Sequence, residues 1–172
     1  MEYPTVFHLL AAAFKKAEAS FVLVGGFAVY YYKMNLSFQA DVLTTEKDYQ
    51  KALPCLEESD CKQILKKDPF ARLRSDNPAF IDLDVRFVKR QTLNKIIKNG
   101  QEIKFQAAEF IVSSREQEII FSDAKKQFPP SKDLSMDNYL KFIESHLKYT
   151  FDREVFENYQ ERRMVNARFS LK

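Results

Sequence analysis

The stretch Phe21 to Thr45, FVLVGGFAVYYYKMNLSFQADVLTT, constrains the fold more than any other part of the chain. The short apolar run Phe21-Val22-Leu23-Val24 reads as a strand. It passes through the only Gly-Gly pair in the sequence, Gly25-Gly26, into an aromatic-rich run, Phe27 to Met34, that reads as helix. Glycine adopts backbone conformations closed to other residues and lets a ligand approach the main chain. A helix starting at Phe27 aims its unpaired N–H groups and positive dipole end at whatever sits over the turn. Phosphate suits such a place. A second apolar segment, Asp41-Val42-Leu43, then sets one carboxylate among strand residues.

Further along, Ala79 to Val88 alternates. Ile81, Leu83, Val85 and Phe87 fall on one face, and Asp82, Asp84 and Arg86 on the other. Alternation of this kind predicts a half-exposed strand with solvated aspartates. Beside the glycine turn and Asp41 it also makes Asp82 and Asp84 candidates to face a ligand cleft. The turn Asp76-Asn77-Pro78 predicts that residues 70–75 and 79–88 form an antiparallel pair. The stretch Ile64 to Arg74 gives no clear reading, is interrupted at Asp68-Pro69, and reads as a strand in its second half, PFARLRS.

The remaining signals are local. Val6, Leu9, Leu10, Ala13, Phe14 and Ala17 predict a helix over 5–18. Thr45 with Asp48 predicts the cap of a helix carrying Tyr49, Ala52, Leu53 and Leu56, with a kink or early end at Pro54. Gln91 to Asn99 reads as a helix with Gly100 as a left-handed terminator. Glu102–Phe105 and Glu109–Val112 read as a hairpin, and Ser114 with Gln117 as a capping box. Phe128-Pro129-Pro130-Ser131 breaks the helix that follows, and two more helical stripes lead to the C-terminus, the second capped at Asp152. The expected architecture is α+β: a small mixed sheet with helices over residues 1–126, then a helical extension packed on it over 127–172.

The glycine turn followed by a strand carboxylate resembles the start of the minimal nucleotidyltransferase fold, the DNA polymerase beta-like superfamily. The likeness is greatest to the uncharacterised and toxin–antitoxin-associated bacterial nucleotidyltransferases, and it covers roughly residues 5–126. In that family a Gly-Gly or Gly-Ser turn precedes a strand with two carboxylates one residue apart, and a third lies on a later strand. Gly25 and Gly26 match the turn, and Asp41 matches the first carboxylate. Leu43 stands where the second belongs. Asp82 and Asp84 are both candidates for the third. The resemblance implies a nucleoside triphosphate held with Mg2+, phosphates over Gly25 and Gly26, and metal on Asp41 and on Asp82 or Asp84. It also implies transfer of a nucleoside monophosphate to an RNA or protein hydroxyl. Two-metal transfer needs several oxygen ligands on one surface. The loss at Leu43 therefore leads to the expectation that nucleotide binding outlasts catalysis. The alternative is a non-catalytic protein-binding or regulatory module, working beside a toxin or another subunit. A third reading makes the glycines a plain tight turn.

Composition narrows the field without choosing among these. The net charge of +3 over 172 residues makes no electrostatic case for a membrane surface or extended nucleic acid. Arg72, Arg74, Arg86, Lys89 and Arg90 read either as a basic rim for triphosphate or RNA, or as solvated partners of nearby acids. Cys55 and Cys61 have no companion His cluster, which argues against zinc and against a disulfide scaffold and fits a reducing cytosol. No apolar run is long enough for a signal sequence or a membrane span. His8 and His146 lie in separate helical patterns and read as helix-surface residues, and no Walker, Gly-x-Ser-x-Gly or His-Glu-x-x-His motif is present.

Overall fold

The computed structural model describes residues 3–25, 40–78, 80–128 and 135–170. Gly26 and the helix expected over Phe27 to Met34 lie outside these. Among the described residues the chain is α+β. Its helices are α1 (Val6–Lys16), α2 (Glu46–Glu58), α3 (Arg90–Asn99), α4 (Arg115–Gln127), α5 (Ser135–His146) and α6 (Arg153–Ser170). Its strands are β1 (Phe21–Val24), β2 (Ala40–Thr44), β3 (Cys61–Lys67), β4 (Phe70–Ser75), β5 (Leu83–Phe87), β6 (Gln101–Phe105) and β7 (Ala108–Val112). They form one mixed sheet in the order β3-β4-β5-β2-β1-β7-β6. Pairing is antiparallel except for β2 with β5 and β1 with β7. The chain divides into two compact units, residues 1–118 and 119–172, the division falling within α4.

In the first unit one sheet face buries α1 through Val6, Leu9, Leu10, Ala13 and Phe14, and α2 through Tyr49, Ala52 and Leu56. Leu23, Val42, Leu73, Leu83, Val85 and Val112 supply the sheet's side of that core. Each such Leu or Val contributes roughly 1.5–3 kcal/mol on burial. The opposite face carries the other half of the strand alternation: Val22 and Val24, Asp41 and Leu43, Asp84 and Arg86. Helix α3 packs against β1, with Leu93 and Ile96 fully buried. His8 ties α1 to the β6–β7 turn, its Nε2 2.7 Å from the Gln106 carbonyl oxygen. In the second unit Ile143, Leu147 and Phe156 are buried, and Phe142 stacks on His146 with centroids 3.8 Å apart. The Tyr159 hydroxyl donates to Asp123 at 3.2 Å.

Four local expectations hold at the level of individual bonds. Thr45 Oγ1 accepts from the Asp48 N–H at 3.1 Å. Ser114 and Gln117 exchange both capping-box bonds, at 2.8 and 3.1 Å. Asp152 caps α6 through the Val155 N–H, and the 101–112 hairpin forms in register.

Other expectations are corrected. Residues 61–67 are a strand, β3, whose bulge between Gln63 and Leu65 breaks the two-residue period. Helix α2 runs through Pro54 to Glu58, because the proline lies on the exposed side while Tyr49, Ala52 and Leu56 pack continuously past it. Gly100 is extended rather than left-handed, with φ −78°. Glycine is required there by crowding, since a Cβ would stand 2.9 Å from the Val112 carbonyl oxygen. The expected half-exposed strand is instead β5, every residue of which is buried, so that both of its faces are covered.

Asp48 does more than cap. It accepts from the Ser20 N–H at 3.0 Å and pairs with Arg90 at 2.7 Å. Burial alone would push its carboxyl up, but the hydrogen bonds from Arg90 and Ser20 and the charges of Arg90 and Lys51 outweigh that and hold it below its ordinary 3.8. A folded-state value below the unfolded one means that the unfolded chain binds the proton more tightly. The stabilisation is therefore complete above about 3.8 and is lost as pH falls through the lowered value. Asp48→Asn is expected to lower the melting temperature at pH 7 and to flatten its decline as the pH falls below about 3.8. Parallel acid limbs in variant and wild type would contradict this.

Candidate functional site

The site is built where β1 ends. Gly25 has φ +67°, in the left-handed region, and its N–H donates to Glu118 Oε1 at 2.9 Å. A Cβ on Gly25 would collide with Oδ2 of Asp41. Glycine is needed at this turn both for its backbone angle and for the carboxylate lying against it. Glu118, itself buried, also accepts from the Ser113 hydroxyl at 2.6 Å. One carboxylate from the first turns of α4 thus anchors the glycine turn.

Asp41 lies on β2 opposite Val24 of β1 and in parallel register with Asp84 of β5. Registered strands lie about 4.8 Å apart, so the two carboxylates rise side by side from one sheet face. Both side chains are only 2% exposed. Leu43 is in register with Arg86 on the same face. The structure thus brings Gly25, Asp41 and Asp84 together. Asp82 precedes β5 and is turned toward the exposed Arg74, while its carbonyl accepts from the Ala40 N–H at 3.3 Å.

Each carboxylate carries a guanidinium. Arg86 Nη1 donates to Asp41 Oδ1 at 3.0 Å, and both side chains are buried. Arg72 grips Asp84 with a two-pronged bond, Nε to Oδ1 at 2.6 Å and Nη2 to Oδ2 at 2.9 Å. These hydrogen bonds push Arg72 above its already high value. Arg74 holds Asp82 likewise, its Nη2 at 2.9 Å. Of the two sequence readings of the arginines, partners of nearby acids describes Arg72, Arg74, Arg86 and Arg90, although Arg86 is buried rather than solvated.

The family resemblance implies a magnesium ion at these residues. They do not fit a resident metal centre. Among the described residues no group of three or more His, Cys, Asp or Glu side chains could hold an ion. The two buried carboxylates already face arginines, and Leu43 offers no oxygen.

Sequence reasoning missed Glu118 and Ser113, and it read Arg86 as a rim residue or a solvated partner of acids, in either case on the surface. Arg86 stood on the charged face of an alternating strand, a position that carried no signal of burial. Glu118 carried none, because its contact is 93 residues away. A cleft of about 1040 Å³ near α1 and the β6–β7 hairpin, lined by Tyr3, His8, Lys15, Phe21 and Phe110, contains none of the site residues.

No protein-family model matches the chain, and no curated protein matches it in sequence. Solved structures do match. The antibiotic-resistance factor ANT(2'')-Ia in solution superposes with a TM-score of 0.56 at 13% identity, over 96% of this chain and 92% of that one. The lincosamide antibiotic adenylyltransferase LnuA, lincomycin-bound, gives 0.53 at 15% identity over 78% and 93%. An antigenic nucleotidyltransferase-like protein from Paracoccidioides brasiliensis gives 0.50 at 12% identity over 96% and 88%. No described helix is long and apolar enough to cross a membrane. With its glycine turn, its paired carboxylate strands and this likeness across the sheet, the chain has the nucleotidyltransferase fold.

Proposed function

We propose that the chain is a nucleotidyltransferase-like protein of the cytosol that binds a nucleoside triphosphate beside the Gly25-Gly26 turn and Asp41, with transfer of the nucleoside monophosphate impaired. The observation that carries this reading is the registered pair Asp41 and Asp84 on one sheet face, directly beside a left-handed glycine turn. That arrangement places carboxylate chemistry next to a turn suited to phosphate. Impairment follows from Leu43, which leaves the face short of the oxygen ligands that two-metal transfer requires. In this reading Asp84 is the family's third carboxylate, and Asp82 stands at the mouth. Any Mg2+ enters on the triphosphate, because magnesium keeps its waters and is readily held by substrate phosphates.

Melting the protein with each nucleoside triphosphate in turn tests the reading. A nucleotide at about a hundred times its dissociation constant should stabilise the fold by roughly 2.7 kcal/mol. Labelled nucleotide should then pass to RNA or protein only at trace levels. Absence of a shift with every nucleotide would sink the proposal. A second reading, a non-catalytic protein-binding or regulatory module such as one half of a toxin–antitoxin pair, is favoured by the arginine on every carboxylate. It predicts no nucleotide shift and stabilisation by a protein partner instead.

A further inference from the structure

We infer that β6 is the contact edge of a homodimer, in which a second copy of the chain lays its own β6 antiparallel along it, across a two-fold axis at Ile103.

The hairpin fixes which backbone groups face outward. Among the described residues β6 ends the sheet, with β7 as its neighbour. Gln106 and Ala107 both have positive φ, so the hairpin closes through a two-residue turn, and Phe105 and Ala108 form its first hydrogen-bonded pair. On the other side of β7 the Ser113 N–H donates to the Leu23 carbonyl, which agrees with that phase. Bonded and non-bonded pairs alternate along an antiparallel ladder. The N–H and C=O of Ile103 and Phe105 therefore turn toward β7, and those of Glu102 and Lys104 turn away from it. The register along the hairpin is unbroken. A regular edge of outward donors and acceptors is a template for another strand.

The charges select the strand that fits. In an antiparallel pair centred on Ile103, Glu102 of each copy stands opposite Lys104 of the other. These are also the positions whose backbone groups face outward, so ion pairs and ladder hydrogen bonds fall in one register. Two-fold symmetry makes each pairing twice. A lysine on an edge ordinarily discourages association. Here the glutamate two positions before it makes the edge self-complementary. Strand β3, at the opposite end of the sheet, differs: its charged residues are all lysines and a bulge breaks its register, so two copies would repel there. Lys104 meets Glu109 of its own hairpin at 3.0 Å, and Glu102 of the second copy would set it between two carboxylates.

The apolar side agrees. Ile103 is buried with Phe110 in the core beneath α1, while Glu102 and Lys104 alternate to the exposed face. The pair on the axis is a non-hydrogen-bonded one, in which facing Cα atoms approach to about 4.5 Å. The Ile103 residues of the two copies thus meet at the border of the cleft beside α1.

Sedimentation equilibrium of the full chain over a range of concentrations tests this. The wild type is expected at twice the monomer mass at the upper end. Glu102→Lys and Lys104→Glu each set like charges opposite one another at both cross-strand pairs, and each should weaken the dimer about tenfold or more. Both residues are exposed, so the fold should tolerate either change. Mixing the two single variants should restore the dimer, because every facing pair is again of opposite sign. The double variant should associate like the wild type. Hydrogen exchange should find the amides of residues 102 and 104 protected in the wild-type dimer and open in each single variant. A wild type that stays monomeric throughout, its edge left for a strand of another protein, overturns the inference. So does a dimer that survives both single reversals, or a mixture of the two that remains monomeric.

Discussion

Replacing Arg86 by Met is expected to destabilise the protein by about 3–5 kcal/mol, because it leaves the Asp41 carboxylate buried without the guanidinium it faces. For a chain of this size that corresponds to a melting temperature lower by about 6–20 °C. Most of this loss comes from a buried carboxylate deprived of its guanidinium, and a double substitution separates it from lost packing. Buried ion pairs replaced on both sides by apolar groups of similar volume are often neutral or better. Arg86→Met with Asp41→Leu should therefore recover most of the stability that either change alone removes. Chemical denaturation of the four proteins gives the coupling directly. An Arg86→Met variant within about 1 kcal/mol of the wild type would show that Asp41 does not depend on this partner.

Gly25→Ala should remove about 2–4 kcal/mol. Part of this is backbone strain, since an L-residue at φ +67° is disfavoured by about 1–2 kcal/mol. The rest is collision of the new Cβ with Asp41 Oδ2, which must either open the turn or pull the carboxylate off Arg86. The two parts can be separated. In a background of Asp41→Ala with Arg86→Met the colliding carboxylate is gone and only the Cβ of residue 41, at 3.2 Å, remains, so that the loss should fall most of the way to the backbone part. Equal losses in both backgrounds would mean that the turn, and not the carboxylate beside it, demands glycine.

The elements the sequence foretold are those held by neighbours in the chain. The Thr45 cap, the Ser114–Gln117 box and the 101–112 hairpin each depend on residues within about a dozen positions, so their signals survive in one dimension. The β3 strand escaped because its bulge and its exposed Ile64, Leu65 and lysines erase the alternation that marks a strand. The glycine turn and Asp41 were legible for the same local reason. Which of Asp82 and Asp84 stands beside Asp41 was not, because it depends on which residue β2 registers against.

Residue order alone determined the strand, the glycine at its end and the carboxylate beside it. Tertiary structure decided that both faces of β5 are covered, and so turned Asp84 and Arg86 from surface charges into buried ones. It also decided that each aspartate of the face meets an arginine, and that Glu118 reaches back across 93 residues to hold Gly25. The physical reason is the same in each case. Periodicity reports which side of an element a residue occupies, whereas desolvation and charge pairing depend on what the rest of the chain brings against that side.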